Sequence, residues 1–138
     1  MKNKSLKLGN ITSKDFINDP KRLGITLSRY KFVGKMFEGF NSVLEIGAGD
    51  GFKSLSLKNS FKFLTLTDIN INKKKLFEKN YKFKNIKYKI NNFVDKPFSE
   101  KFDGIFALDV LEHIEKKNEN KFIINLKKSL KKNGSLII

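Results

Sequence analysis

A chain of 138 residues, 39% hydrophobic and 31% charged, falls in the range of one domain able to bury a core. It holds no cysteine, which excludes disulfides, thiolate nucleophiles and zinc–thiolate sites. The net charge is +15, no apolar run approaches the roughly 18 residues of a membrane span, and the opening MKNKSLKLGN lacks the apolar stretch of a secretory signal, so elimination leaves the cytoplasm as the expected compartment.

Residues 1–18 are polar and weakly patterned and predict a mobile arm, with a single domain over 19–138. From Asp19-Pro20 the spacing turns helical: Leu27, Tyr30, Gly34 and Phe37 share one face, with Val33, Met36 and Phe40 beside it. Ser42–Ile46 is a short apolar run ending in glycines and reads as a buried parallel strand. A helix over about Gly51–Asn59 follows, then a strand over Phe61–Thr67, a lysine-rich helix over Asn72–Asn80, and a strand over Ile86–Ile90. Asp103–Leu108 is the fourth strand. A helix over about Lys117–Lys131 is closed by Lys132-Asn-Gly134, residues that accept a left-handed backbone. Ser135–Ile138 begins a fifth strand. This alternation implies an α/β fold, a doubly wound parallel sheet with helices on both faces.

In such a sheet, ligands bind beyond the carboxyl ends of the strands, where strand order reverses. The first strand delivers Glu45-Ile-Gly47-Ala-Gly49-Asp-Gly51 to that place. Alternating glycines let the backbone turn sharply and let a ligand approach main-chain atoms. A nicotinamide dinucleotide fingerprint requires glycine at positions one, three and six. Counted from Gly47 the sixth position is Phe52, so that reading is disfavoured.

The stretch VLEIGAGDG, Val43–Gly51, resembles the first motif of class I S-adenosylmethionine-dependent methyltransferases of the small-molecule type. The resemblance extends over about 42–138, through Thr65-Leu-Thr-Asp68-Ile69, Phe102–Ile114 with its Leu-Glu-His turn, and LKKNGSLII at Leu130–Ile138. It implies a Rossmann-like sheet in the order 3-2-1-4-5 behind an N-terminal helix. It also implies S-adenosyl-L-methionine as cofactor, held by Glu45, Gly47, Ala48, Gly49, Gly51 and Leu108. Asp68 would bind the ribose hydroxyls, since one carboxylate accepts two hydrogen bonds from a cis diol; a helix N-cap is its second reading. Asn92 stands where the family commonly has aspartate, and would accept from the adenine amine without charge; ordinary loop chemistry is its alternative. Ile69 and Phe93 would sandwich the purine, or simply pack in the core. Arg29 would pair with the cofactor carboxylate, or serve as a surface charge.

The implied reaction is displacement of a methyl group from a sulfonium by a small-molecule acceptor: a metabolite, a lipid-linked compound or a sugar-like one. His113, the sole histidine, is the candidate base, with turn packing as the alternative. Full enzymes of the family usually add two strands beyond the fifth, so the chain is expected to be truncated within that strand, and a missing segment or a partner chain to complete it. Two other functions stay open: a non-catalytic cofactor-binding or interaction module, and a nucleic-acid methyltransferase. The charge alone favours the last. Of the 29 cationic side chains only Arg22 and Arg29 are arginine, the lysines are dispersed, and Leu108-Asp-Val-Leu stands where an Asn/Asp-Pro-Pro-aromatic motif would be. No specific nucleic-acid partner is therefore expected.

Overall fold

A computed structural model describes residues 6–138. The elements run α1 (Asn10–Asn18), α2 (Pro20–Met36), β1 (Ser42–Ile46), a 3-10 turn at Lys53–Leu57, β2 (Phe63–Asp68), α3 (Ile71–Asn80), β3 (Ile86–Ile90), β4 (Phe102–Phe106), a 3-10 turn at Leu111–His113, α4 (Lys116–Ser129) and β5 (Leu130–Ile137). The five strands pair in the order β3-β2-β1-β4-β5, all parallel. No helix among the described residues is long and apolar enough to cross a membrane.

Side chains alternate between the two faces of each strand. Val43 joins Leu64, Leu66, Tyr88 and Phe106 in one core, covered by Tyr30 and Val33 of α2, Phe37 just after it, and Phe77 of α3. Leu44 and Ile46 point the other way, into a second core with Phe93, Ile105, and Phe122 and Leu126 of α4. The result is three layers, helix–sheet–helix, with the β1 and β2 tips between them.

Three sequence expectations need correction. The arm expected over 1–18 is helical from Asn10 to Asn18; its first five residues lie outside the described ones. Helix α1 has only a weak apolar stripe of its own, and a tertiary contact holds it: Asp50 accepts from Gly9 N–H at 2.7 Å and from the Thr12 hydroxyl at 3.0 Å. The helix expected over Gly51–Asn59 is only the short 3-10 turn Lys53–Leu57. Helix α4 ends at Ser129 and passes directly into β5 at Leu130, without the left-handed Lys132-Asn-Gly134 turn. Leu130 pairs with Phe102 and Ser135 with Gly104, so the intervening residues of β5 bulge. The bulge lets Lys131 Nζ reach Asp103 at 2.8 Å.

Candidate functional site

The tips of β1, β2 and β4 open into a cavity of about 440 Å³. Its floor is the loop Gly47–Asp50. Gly47, Gly49 and Gly51 all adopt positive φ (74°, 59° and 75°), so three left-handed positions in five residues fold the chain tightly after β1. They do different work. A Cβ on Gly49 would meet nothing within 4 Å, so this residue leaves open space above the backbone. A Cβ on Gly51 would lie 2.4 Å from the Phe77 ring, so this glycine serves the packing of α3 and does not line the cavity.

Asp68, at the end of β2, lines the cavity. Its Oδ2 accepts from Gly49 N–H at 3.1 Å and its Oδ1 from Asn70 N–H at 2.9 Å. The N-cap of α3 is Asn70, whose side chain accepts from Asn72 N–H, so capping is not Asp68's task. The carboxylate is therefore oriented by the glycine loop while its outer lone pairs remain available. From below, Ala48 N–H donates to Thr67 O at 2.9 Å and the Tyr88 hydroxyl donates to Gly49 O, fixing the loop against β2 and β3.

Of the sequence-predicted residues, Gly47, Ala48, Gly49, Asp68, Ile69, Asn92, Phe93, Leu108 and His113 all line this one cavity. Ile69 is 72% exposed and Phe93 only 2%, so one wall is a free side chain and the other part of the second core. Asn92 lies exposed at the rim, and its Oδ1 accepts from Val94 N–H at 3.0 Å. His113 closes the 3-10 turn after β4.

Two further predicted residues point elsewhere, besides Gly51. Glu45 shares a face with Val43, not with Ile46, so its side chain enters the first core instead of the cavity. It is 1% exposed and accepts from the Tyr30 hydroxyl at 2.6 Å. Burial raises its pKa to about 7, although the Tyr30 contact and the neighbouring Ser54 favour the charged form. Oε2 of Glu45 and the Ser54 hydroxyl find no hydrogen-bond partner among the described residues. Strict strand alternation was the sequence signal that gives Glu45's direction.

Arg29 does not line the cavity either. Both terminal nitrogens grip Asp109, each at 2.6 Å, which raises the guanidinium pKa and lowers that of the carboxyl. Asp109 lines the cavity at φ 55°, the left-handed region that aspartate tolerates better than most residues. The cations that do face the cavity are Arg22, Lys53 and Lys73. Sequence reading missed Arg22, Lys53 and Asp50. Nothing in the local pattern separates them from the other charges, and only the docking of α1 and α2 over the loop selects them.

No metal-binding group of three or more His, Cys, Asp or Glu side chains occurs among the described residues. In comparison with curated proteins the chain finds no match by sequence. Solved structures do match its fold. A structure of DhpI, described as a complex with SAM and HEP, superposes with a TM-score of 0.71 at 14% identity over 90% of this chain and 56% of that one. CalS10 of Micromonospora echinaspora, described as an amino pentose methyltransferase with SAM bound, gives 0.74 at 10% identity over 97% and 57%. The N-methyltransferase NodS of Bradyrhizobium japonicum gives 0.72 at 21% identity over 86% and 67%. The chain thus spans little more than half the length of the first two. A family model described as a methyltransferase domain matches residues 44–138, the greater part of the sequence and all of the glycine loop. On that match, and on the parallel 3-2-1-4-5 sheet, the chain belongs to the methyltransferase domain family and has the class I methyltransferase fold.

Proposed function

We propose that this chain binds S-adenosyl-L-methionine in the cavity over Gly47–Gly49 and serves methyl transfer to a small-molecule acceptor. The observation that carries the reading is the Asp68 carboxylate, aligned by Gly49 N–H beside backbone that presents no side chain. That pairing suits a ribose diol above an open glycine turn, and the residues present therefore fit the nucleoside. The volume of about 440 Å³ suits a ligand of nucleoside size.

When bound, the cofactor supplies an activated methyl group on a sulfonium, so the thermodynamic drive is its own. The residues of the chain bind and orient. Asp68 accepts from the ribose hydroxyls, Ile69 and Phe93 flank the base, and Asn92 accepts from its amine through the remaining lone pair of Oδ1. Arg22 and Lys53, the cations on the cavity wall nearest α2 and the loop, take the carboxylate in place of Arg29, which Asp109 occupies. Alignment of methyl donor and acceptor is worth effective molarities on the order of 10⁵ M or more. His113 stands at the cavity to receive a proton where the acceptor carries one.

The neighbour described as an amino pentose methyltransferase favours a small acceptor over nucleic acid. Calorimetry with S-adenosyl-L-methionine tests the reading. One-to-one binding is expected, weakened roughly 10- to 100-fold by Asp68→Ala through loss of charge-assisted hydrogen bonds. Absence of binding by folded protein would end it. A cofactor-binding module without turnover is the second reading, since the features that support the proposal, Asp68 and the open backbone at Gly49, bind and do no chemistry themselves. Transfer of labelled methyl by the chain to any member of an acceptor panel would exclude that alternative.

A further inference from the structure

We propose that the outer face of α2 docks this chain on an anionic phospholipid surface. Helix α2 buries Leu23, Thr26, Tyr30 and Val33 against the sheet. Further round the helix, Ile25, Phe32 and Met36 are exposed at 57%, 56% and 58%. At 100° per residue, spacings of seven and four place these three within an arc of roughly 40°, a continuous apolar ridge along the helix.

The ridge is flanked by cations. Lys21 lies on one side of it and Arg22 on the other, with Lys31 further round; Arg29 and Lys35, also on the flanks, are paired with Asp109 and Glu38. The 17 residues of α2 include no Asp or Glu. Directly before it, α1 leaves Phe16 and Ile17 exposed as well. Exposed large apolar side chains beside Lys21, Arg22 and Lys31, cations without an acidic partner among the described residues, match the interfacial helix pattern, in which the ridge enters the acyl boundary and the cations meet anionic headgroups.

Charge complementarity selects this occupant over the others. A second copy would bring two such cationic helices together, each from a chain of net charge +15. A nucleic acid would satisfy the cations but leave Ile25, Phe32 and Met36 in water. A lipid surface satisfies both. Arg22 belongs to the flank and also to the cavity wall, so docking brings the cavity mouth beside the headgroups.

The test is co-sedimentation of the intact chain with vesicles of phosphatidylcholine alone or with about 30% phosphatidylserine. Binding is expected only to the anionic vesicles and should fall in about 0.5 M salt. The triple variant Ile25→Ser, Phe32→Ser, Met36→Ser should partition roughly tenfold more weakly. Replacement of Lys127 and Lys128, cations of the distant α4, by Gln should change binding less than twofold. Since the chain has no cysteine, Ser28→Cys carries a single environment-sensitive fluorophore beside the ridge, and its emission should shift to the blue on anionic vesicles. Equal binding to both vesicle types, unchanged partitioning of a folded triple variant, an unshifted fluorophore, or a dimer in solution that buries this face would each overturn the proposal. Tight RNA binding that survives the triple variant while vesicle binding is absent would assign the cations to nucleic acid instead.

Discussion

The Tyr30 hydroxyl donates to Oε1 of Glu45 at 2.6 Å, inside a core from which both side chains are almost wholly excluded from solvent. This bond joins α2 to β1 beneath the glycine loop. Burial also pushes the Tyr30 phenol pKa well up, so the phenol remains the donor throughout the working range.

A pH dependence follows from Glu45, whose carboxyl is raised from 4.5 to about 7. The folded state then holds its proton more tightly than the unfolded chain between those two values, so stability falls as pH rises from about 4.5 to 7 and levels off above. Glu45→Gln keeps an acceptor for Tyr30 and offers N–H to Ser54. It should abolish that slope and stabilise the protein at pH 8 by on the order of 2 kcal/mol. Denaturant melts of both proteins across pH 5–8 give the measurement, and parallel curves would refute the buried titration.

Asp103 acts in the opposite sense. Burial alone would raise its pKa, but Lys131 Nζ at 2.8 Å and the Ser42 N–H and hydroxyl at 2.8 and 3.0 Å hold it at about 2. Its contribution is complete above the ordinary carboxylate range near 3.8 and is lost as pH falls through about 2. Asp103→Ala should cost about 1 kcal/mol at neutral pH and distinctly less at pH 2. Thermal melts at the two pH values compare them.

Asp50 decides whether α1 is helical. Its carboxylate is 6% exposed and accepts from Gly9 N–H, the Thr12 hydroxyl and Phe52 N–H. Asp50→Ala strands two donors of the N-terminal segment, at roughly 1–3 kcal/mol for each left buried and unpaired. Release of the segment to water is the cheaper outcome. Hydrogen exchange should then show the Asn10–Asn18 amides unprotected while β1 and β2 keep their protection.

The glycines separate folding from binding. Gly51→Ala places a methyl 2.4 Å from Phe77 at a positive φ and should cost at least about 3 kcal/mol. Gly49→Ala meets nothing and should cost only about 1 kcal/mol from its φ of 59°. Its methyl stands at the open backbone of the cavity, so cofactor affinity should drop roughly tenfold or more on steric grounds. Melting and calorimetry on the two variants should therefore rank them in opposite orders.

Much of this molecule is local in origin. The short apolar run Ser42–Ile46, the alternation in Ile86–Ile90, the helical spacing around Phe122 and Leu126, and the glycine alternation after β1 are short-range patterns. They sufficed for the element order, the parallel sheet and the place of the crevice, because strand and helix repeats report which faces must leave water. Asp68, Ile69, Asn92 and Phe93 were pointed to by the family resemblance, which sets its candidate residues at or just beyond strand ends, and all four line the cavity. Other features depended on pairs distant in sequence. Arg29 turns to Asp109, 80 residues away. Asp50 recruits Gly9 across 41, making a helix of a segment with no strong pattern. The bulge of β5 against β4 overrides the turn chemistry of Lys132-Asn-Gly134, because pairing with Gly104, Ile105 and Phe106 outweighs a local preference. Composition recorded how many charges there were, but only the packed chain chose the partner of each.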